Sequence, residues 1–178
     1  MRRLLALALV LLVVPAGAAR AGSVGLGVFG GMSYPVLQDG MSKGTLYGLR
    51  VPVNIVPIVT VEPFYASSNL GDGKISIAGI DYTRQGPDEK AYGLNVMLST
   101  GGPLSFYPYG GLSQTSLKFD GVDKKFTTYQ GGVGLGVSPA PKITVHLRAE
   151  LQMVVDGETS RKFGNATLGA SYALFGMP

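Results

Sequence analysis

The sequence predicts an all-β protein: a closed, antiparallel, up-and-down transmembrane β-barrel of eight strands. Three observations carry that prediction. Residues from Lys142 to Val155 alternate apolar and polar over a dozen positions. The same texture recurs along the chain, with short and long connections in turn. Past the first 21 residues, no apolar run approaches the ~20 residues that a membrane helix needs.

The stretch KITVHLRAELQMVV sets the pattern. Ile143, Val145, Leu147, Ala149, Leu151 and Met153 share one parity, and Thr144, His146, Arg148, Glu150 and Gln152 the other. A period of two is a strand with one apolar and one polar face. Its length suits a tilted strand crossing a bilayer, which takes about 9–11 residues.

The chain opens as a secretory leader. Arg2 and Arg3 precede an unbroken apolar run from Leu4 to Val14, then Pro15 and small residues. Ala19-Arg20-Ala21 has the A-x-A form, so cleavage is expected between Ala21 and Gly22. Residues 1–21 are therefore expected to be a removed signal peptide, and residues 22–178 one barrel domain. Arg2, Arg3 and Arg20 leave with the leader, so the formal charge of +4 falls to about +1. The basic balance reports export and makes no case for nucleic acid. Cysteine is absent and there is a single His, which excludes a disulfide framework, a thiolate metal centre and a His-cluster site. Charged residues make up 15% of the chain, against about 25% in soluble domains. With 27 Gly, that composition suits strands whose outer face meets lipid.

Eight segments alternate. Ser23–Ser33 sets Val24, Leu26 and Val28 against Ser23, Gly25 and Gly27. Thr45–Val56 sets Tyr47, Leu49 and Val53 against Gly48, Arg50 and Asn54. Ile58–Ala66 sets Val59, Val61 and Tyr65 against Thr60, Glu62 and Phe64. Ala91–Ser99 sets Tyr92, Leu94 and Val96 against Gly93, Asn95 and Met97. Leu104–Phe119 is less regular and ends with Leu117 and Phe119 opposite Gln114, Ser116 and Lys118. Phe126–Val137 sets Tyr129, Val133 and Leu135 against Gln130, Gly132, Gly134 and Gly136. Lys142–Val155 is seventh. Phe163–Phe175 sets Leu168, Ala170 and Tyr172 against Asn165, Thr167 and Gly169.

Pro57, Gly101-Gly102-Pro103 and Ser138-Pro139-Ala140-Pro141 read as tight turns. Between them lie longer polar links, Tyr34–Gly44, Ser67–Lys90, Asp120–Lys125 and Asp156–Lys162. Short turns on one rim and longer loops on the other are the pattern of outer-membrane barrels. Lys74–Tyr82 also alternates. It is expected as a strand extension or a small hairpin above the membrane, with a ten-stranded barrel as the alternative. Trp is absent, so Tyr47, Tyr65, Tyr92, Tyr107, Tyr109 and Tyr172, near segment ends, are candidates for an interfacial girdle.

At the C-terminal end, Thr167-Leu168-Gly169-Ala170-Ser171-Tyr172-Ala173-Leu174 resembles the outer-membrane assembly signal: polar, any, Gly, two of any, then hydrophobic, any, hydrophobic. Thr167, Gly169, Tyr172 and Leu174 carry the match, which implies recognition by the barrel-assembly machinery. Gly176-Met177-Pro178 follow Phe175, where many members end on the aromatic residue. Over Gly22–Phe175 the pattern resembles the OmpA-like family of eight-stranded outer-membrane barrels. That resemblance implies the fold, a place in the bacterial outer membrane, and contact with the bilayer and lipopolysaccharide. It implies little about activity, since such barrels include anchors, adhesins and lipid-modifying enzymes.

The candidate chemistry is a polar network in the lumen. His146, Arg148 and Glu150 lie about 7 Å apart along one face, and Arg50 and Glu62 lie on the polar faces of the second and third segments. An eight-stranded barrel is just wide enough for side chains to fill its interior, where charges should be paired. The expected role is structural, a plug; the alternative is a narrow pore or ion path through the network. An enzyme of the lipid A deacylase kind would carry His-x-Ser on a strand, but here Arg148 follows His146 at that spacing. The alternating glycines precede no Lys-Ser/Thr and do not form a phosphate loop. Asp72, Asp81, Asp88, Glu89, Asp120 and Asp123 read as solvated loop acids able at most to bind Ca²⁺ weakly. No cofactor is expected. A soluble lipocalin-like barrel would reverse the sidedness and carry many Lys and Glu outside. The polar faces here are mostly Gly, Ser, Thr, Asn and Gln. The expectation is thus a monomeric, non-enzymatic outer-membrane barrel with a structural or surface-interaction role.

Overall fold

The computed structural model describes residues 22–36, 42–77, 80–84, 86, 88–119, 122–156 and 159–175. The strands are β1 (Val24–Val36), β2 (Ser42–Arg50), β3 (Val53–Val56), β4 (Val59–Gly71), β5 (Gly73–Ile77), β6 (Ile80–Arg84), β7 (Asp88–Leu98), β8 (Leu104–Phe119), β9 (Val122–Ala140), β10 (Ile143–Asp156) and β11 (Thr159–Phe175). The leader and its Ala19 and Ala21 lie outside the described residues.

The ring runs β1-β2-β4-β7-β8-β9-β10-β11 and closes from β11 onto β1, every pair antiparallel. Closure is long, from Val24 opposite Phe175 to Val36 opposite Lys162. β3 is the continuation of β2 after Val51 and Pro52. Proline has no N–H to donate, and neighbours bridge the break: the Gly25 amide donates to the Pro52 carbonyl at 2.9 Å and the Val51 amide to the Pro63 carbonyl at 2.9 Å. The barrel therefore has eight staves, and the ten-stranded alternative is excluded. Among the described residues, β5 and β6 pair only with each other. They are the hairpin expected around Lys74–Tyr82, standing between β4 and β7.

One rim is closed by turns at Pro57–Ile58, Ser99–Pro103 and Pro141–Lys142. Gly101 and Gly102 take φ of 72° and 87°, a region cheap only for glycine. The last turn is shorter than Ser138–Pro141 suggests, because β9 runs on to Ala140.

The faces are sorted the opposite way from a soluble barrel. Arg50 and Glu62, pointing inward, are 2% and 1% exposed, whereas Leu147 and Leu151, pointing outward, are 56% and 67% exposed. An outer belt of Leu, Val, Ile and Tyr around a polar lumen is stable only in lipid, which removes the lipocalin-like alternative. No described helix is long and apolar enough to cross a membrane; the strands cross it. Tyr47, Tyr65, Tyr92 and Tyr172 face outward as a girdle requires, but Tyr107 and Tyr109 are buried in the lumen.

Toward the rim that carries β5–β6 the sorting inverts, and two links expected there, Asp120–Lys125 and Asp156–Lys162, are mostly strand, since β9 begins at Val122 and β11 at Thr159. Leu70, Leu117, Val154 and Phe163 pack together inside, with Phe126 against them, while Gln114 and Lys118 face outward and are exposed. The strands also extend beyond the alternating segments: β4 continues to Gly71 and β7 begins at Asp88, inside the stretch Ser67–Lys90 that reads as a polar link. Past the lipid, strand pairing no longer needs an apolar outer face, so the alternation that marks a membrane strand disappears while the ladder continues.

Candidate functional site

The lumen is built from one register. On β10, period two points His146, Arg148, Glu150 and Gln152 inward in a column. On β9, Gly136, Gly134 and Gly132 stand directly opposite His146, Arg148 and Glu150. On β8, Tyr107 and Tyr109 stand opposite the same Gly134 and Gly132. The glycine column leaves room for both tyrosine rings to lie across β9 and reach β10. A Cβ added at Gly134 would collide with the Tyr107 ring.

The contacts stack along the barrel axis. Nearest the short-turn rim is a cavity of about 130 Å³ bordered by Asn54, Thr60, Ser105, Thr144, His146 and Ser171. Thr60 donates to the Asn54 side-chain oxygen there. Next, His146 spans the lumen wall, Nδ1 to the Tyr107 hydroxyl and Nε2 to the Ser171 hydroxyl, each at 2.9 Å.

Arg148 follows. Its Nη1 and Nη2 donate to Oε1 and Oε2 of Glu62 at 2.6 and 2.8 Å, and its Nε donates to the Tyr107 hydroxyl at 2.9 Å. Its guanidinium also lies 5.2 and 5.1 Å from the Tyr107 and Tyr109 ring centres. A fork-to-fork pair with a third donor bond and two aromatic faces is the strongest form such a contact takes. Arg50 lies beside it, Nε 4.0 Å from Glu62 Oε2 and guanidinium 5.5 Å from the Phe29 ring centre.

Beyond Arg148, Glu150 accepts from the Tyr109 hydroxyl at 3.1 Å and from Asn165 Nδ2 at 3.0 Å. Asn165 Nδ2 also donates to Gln152 Oε1 at 3.1 Å. Gln152 Nε2 donates to Glu89 Oε1 at 2.8 Å, and the Ser68 hydroxyl donates to Glu89 Oε2 at 3.4 Å. Gln130 Nε2 donates to Asn95 Oδ1 at 2.6 Å. These groups surround a second cavity of about 50 Å³. The apolar layer of Leu70, Leu117, Val154 and Phe163 lies beyond it.

All five residues singled out from sequence, Arg50, Glu62, His146, Arg148 and Glu150, point into this lumen. Arg50, Glu62 and Arg148 form one cluster; His146 and Glu150 join it through Tyr107 and Tyr109. Sequence reading missed those two tyrosines as lumen residues, although they share parity with Ser113 and Thr115 on the same strand. It also placed Glu89 among solvated loop acids, whereas Glu89 is buried, 4% exposed, on β7. The segment around it is polar on both faces, so alternation could not assign a side.

Among the described residues, no Ser-His-acid triad is assembled on His146. Ser171 occupies one ring nitrogen and a tyrosine, not a carboxylate, the other. Among the described residues, no three His, Cys, Asp or Glu side chains gather to hold a metal. In the C-terminal motif, Thr167 and Gly169 line the inner face, while Tyr172 and Leu174 lie on the lipid face at 49% and 48% exposure.

A closed eight-stave ring with an apolar belt outside and a bonded polar column inside defines a transmembrane β-barrel. The chain belongs to the outer membrane protein beta-barrel domain family, whose model matches residues 4–173, and it is a protein of the bacterial outer membrane. Similar solved structures include Neisserial surface protein A (TM-score 0.60, 15% identity, 85% of this chain and 96% of that one). A major outer membrane protein from Thermus thermophilus matches at TM-score 0.58 and 12% identity, over 87% of this chain and all of that one. The Yersinia pestis outer membrane protein Ail, in a phospholipid bilayer nanodisc, matches at TM-score 0.54 and 17% identity, over 86% and 99% of the two chains. At these identities the likeness is one of fold. No curated protein matches the sequence significantly.

Proposed function

We propose that this chain is a non-enzymatic, monomeric outer-membrane barrel whose lumen is plugged and whose role, structural or in surface interaction, is exercised at its outer end. The segments that carry that contact are Ser67–Lys90, which holds the hairpin β5–β6, and Tyr34–Gly44, with lipopolysaccharide as the first neighbour. Residues 1–21 are removed between Ala21 and Gly22. The barrel-assembly machinery reads Thr167, Gly169, Tyr172 and Leu174 on the closing strand.

One observation supports the plug above the rest. The Arg148–Glu62 pair bonds β10 to β4 across the lumen with both carboxylate oxygens engaged. Water-filled passage would require opening a bidentate pair whose partners are both buried, which is costly without replacement partners. The apolar layer at Leu70 and Phe163 adds a second barrier. The pore reading therefore ranks below the plug, and the enzyme reading rests only on the His146–Ser171 bond.

Reconstitution in planar bilayers tests the plug. The protein should be electrically silent under conditions where the folded barrel is verified by its gel mobility. Discrete, reproducible channel openings would overturn the reading in favour of an ion path. Lipid A that stays unchanged on cells overproducing the protein is the matching expectation for a non-enzyme.

A further inference from the structure

The cavity of about 130 Å³ at the short-turn rim is ringed by hydroxyls and has far more room than the ~10–15 Å³ that one water requires. Among the described residues no Asp or Glu borders it. Lys142 does, exposed on the turn at this rim, with its ammonium 6.0 Å from the Tyr172 ring centre. Inward-pointing groups converge on one spot. Ser138 Oγ and Thr144 Oγ1 are 3.0 Å apart, and Thr144 stands directly opposite Ser171 in the β10–β11 ladder. Around the point that a Cβ on Gly136 would occupy, Ser105 Oγ, Thr144 Cγ2 and His146 Nδ1 lie at 2.6, 3.4 and 3.7 Å. An alanine there would crowd Ser105; glycine keeps the space.

The hydrogens in this layer can be counted. A phenol has one hydrogen. The Tyr107 oxygen accepts from Arg148 Nε at 2.9 Å, so its hydrogen goes to His146 Nδ1, also at 2.9 Å. With Nδ1 accepting, the ring carries its hydrogen on Nε2 and donates it to Ser171 Oγ at 2.9 Å. Ser171 is thus an acceptor from the ring, and its own hydrogen is left for the cavity. The same polarity stops His146 from taking the Ser171 proton, as a hydrolase would require. Between Ser138 and Thr144 one hydroxyl hydrogen is used and the other is free. A second chain, Thr60 to Asn54 to Ser23, also ends on a serine oxygen of this cavity. Both chains donate toward the cavity, and the first begins at a guanidinium.

We infer that this cavity is a binding site for a small oxyanion of the phosphate class, which enters at the short-turn rim, the periplasmic side of an outer-membrane barrel. The hydroxyls of Ser171 and of the Ser138–Thr144 pair donate to its oxygens, and Lys142 supplies counter-charge from the turn. Arg148, three hydrogen bonds behind the Ser171 hydroxyl, polarises the chain in the same sense. The site lies at the opposite end from the surface-interaction reading and does not depend on it. The competing state is a cavity that holds only water.

The chain has a single His, so one pair of imidazole ¹⁵N signals in an NMR spectrum reports on the site. The chain is folded in an amine-oxide detergent, which carries no phosphate, and sodium phosphate is titrated against sodium chloride at constant pH and ionic strength. Before phosphate is added, Nε2 should be the protonated nitrogen. A proton on Nδ1 would make the ring an acceptor from Ser171 and overturn the site. Phosphate should then shift the Nε2 signal saturably, with a Kd on the order of 1 mM. Ser171→Ala should raise the half-saturating concentration at least ~10-fold, through loss of one hydrogen bond to a charged group, and Lys142→Gln should raise it as well. The absence of a saturable shift overturns the site and leaves a water-filled cavity. An unchanged half-saturating concentration in S171A also overturns it, placing the anion on exposed lysines elsewhere. Should S171A not fold, Thr144→Val decides: its half-saturating concentration must increase, and an unchanged value refutes the site.

Discussion

Arg148 on β10 grips both carboxylate oxygens of Glu62 on β4, at 2.6 and 2.8 Å, joining staves that are 86 residues apart in the chain. Both side chains are almost fully buried. The pair fastens opposite walls of the barrel and makes a specific energetic demand. Glu62 is shared with the buried Arg50, so removing Glu62 strands two guanidiniums, whereas removing Arg148 leaves Glu62 beside Arg50. Glu62→Leu should destabilise the folded barrel by ~3–5 kcal/mol, and Arg148→Met should cost less than that change. Urea unfolding in lipid vesicles measures both. An R148M variant as costly as E62L would show that Arg50 does not hold Glu62 once Arg148 is gone.

The glycine column predicts a steric coupling. Gly134→Val should force the Tyr107 ring off β9 and break its bonds to His146 and Arg148. Tyr107→Ala alone should also destabilise. Combined, G134V/Y107A should be more stable than the sum of the two by about 1 kcal/mol or more, because the valine then fills the vacated space. Strict additivity in a double-mutant cycle would contradict the contact.

The inverted faces predict an unusual response to charge. Leu147 is more than half exposed, and in a soluble protein Leu147→Arg would be nearly neutral. Facing hydrocarbon, it should cost roughly 2–4 kcal/mol, while Gln114→Arg near the outer end should cost about 0–1 kcal/mol. Equal effects at the two positions, measured by equilibrium unfolding in vesicles, would argue against lipid at Leu147.

The hairpin β5–β6 should be dispensable for folding. Asn69 and Asp88 already pair across β4 and β7, so replacing 72–87 by a short Gly-Asn turn should leave the barrel intact. Its gel mobility should still change on boiling, and any surface binding carried by the hairpin should vanish. A variant that no longer folds would assign the hairpin to the barrel's own stability.

Much of the fold is legible in the sequence, and the limits have physical causes. The alternation of Ile143 to Met153 against Thr144 to Gln152 marks β10 because lipid and lumen make opposite demands on adjacent residues. The same rule separates Arg50 and Glu62 from Tyr47 and Val61. It fails above the membrane, where water outside and an apolar layer inside reverse the code at Leu117. It is silent at Glu89, whose neighbours are polar on both faces. Tyr107 and Tyr109 escape it because a tyrosine suits an interface and a lumen equally well. Which residues bond across the lumen is not readable at all, since Arg148 meets Glu62 only through the stagger of the closed ring.

An apolar belt that faces lipid around a closed, polar-filled ring is tested most directly on a gel. Residues 22–178 are folded in detergent, and boiled and unboiled samples are compared in SDS. The unboiled protein should resist SDS and migrate differently from the boiled form. A protein that is soluble without detergent and shows a single mobility would contradict the barrel's place in lipid, and would turn the assigned inner and outer faces around.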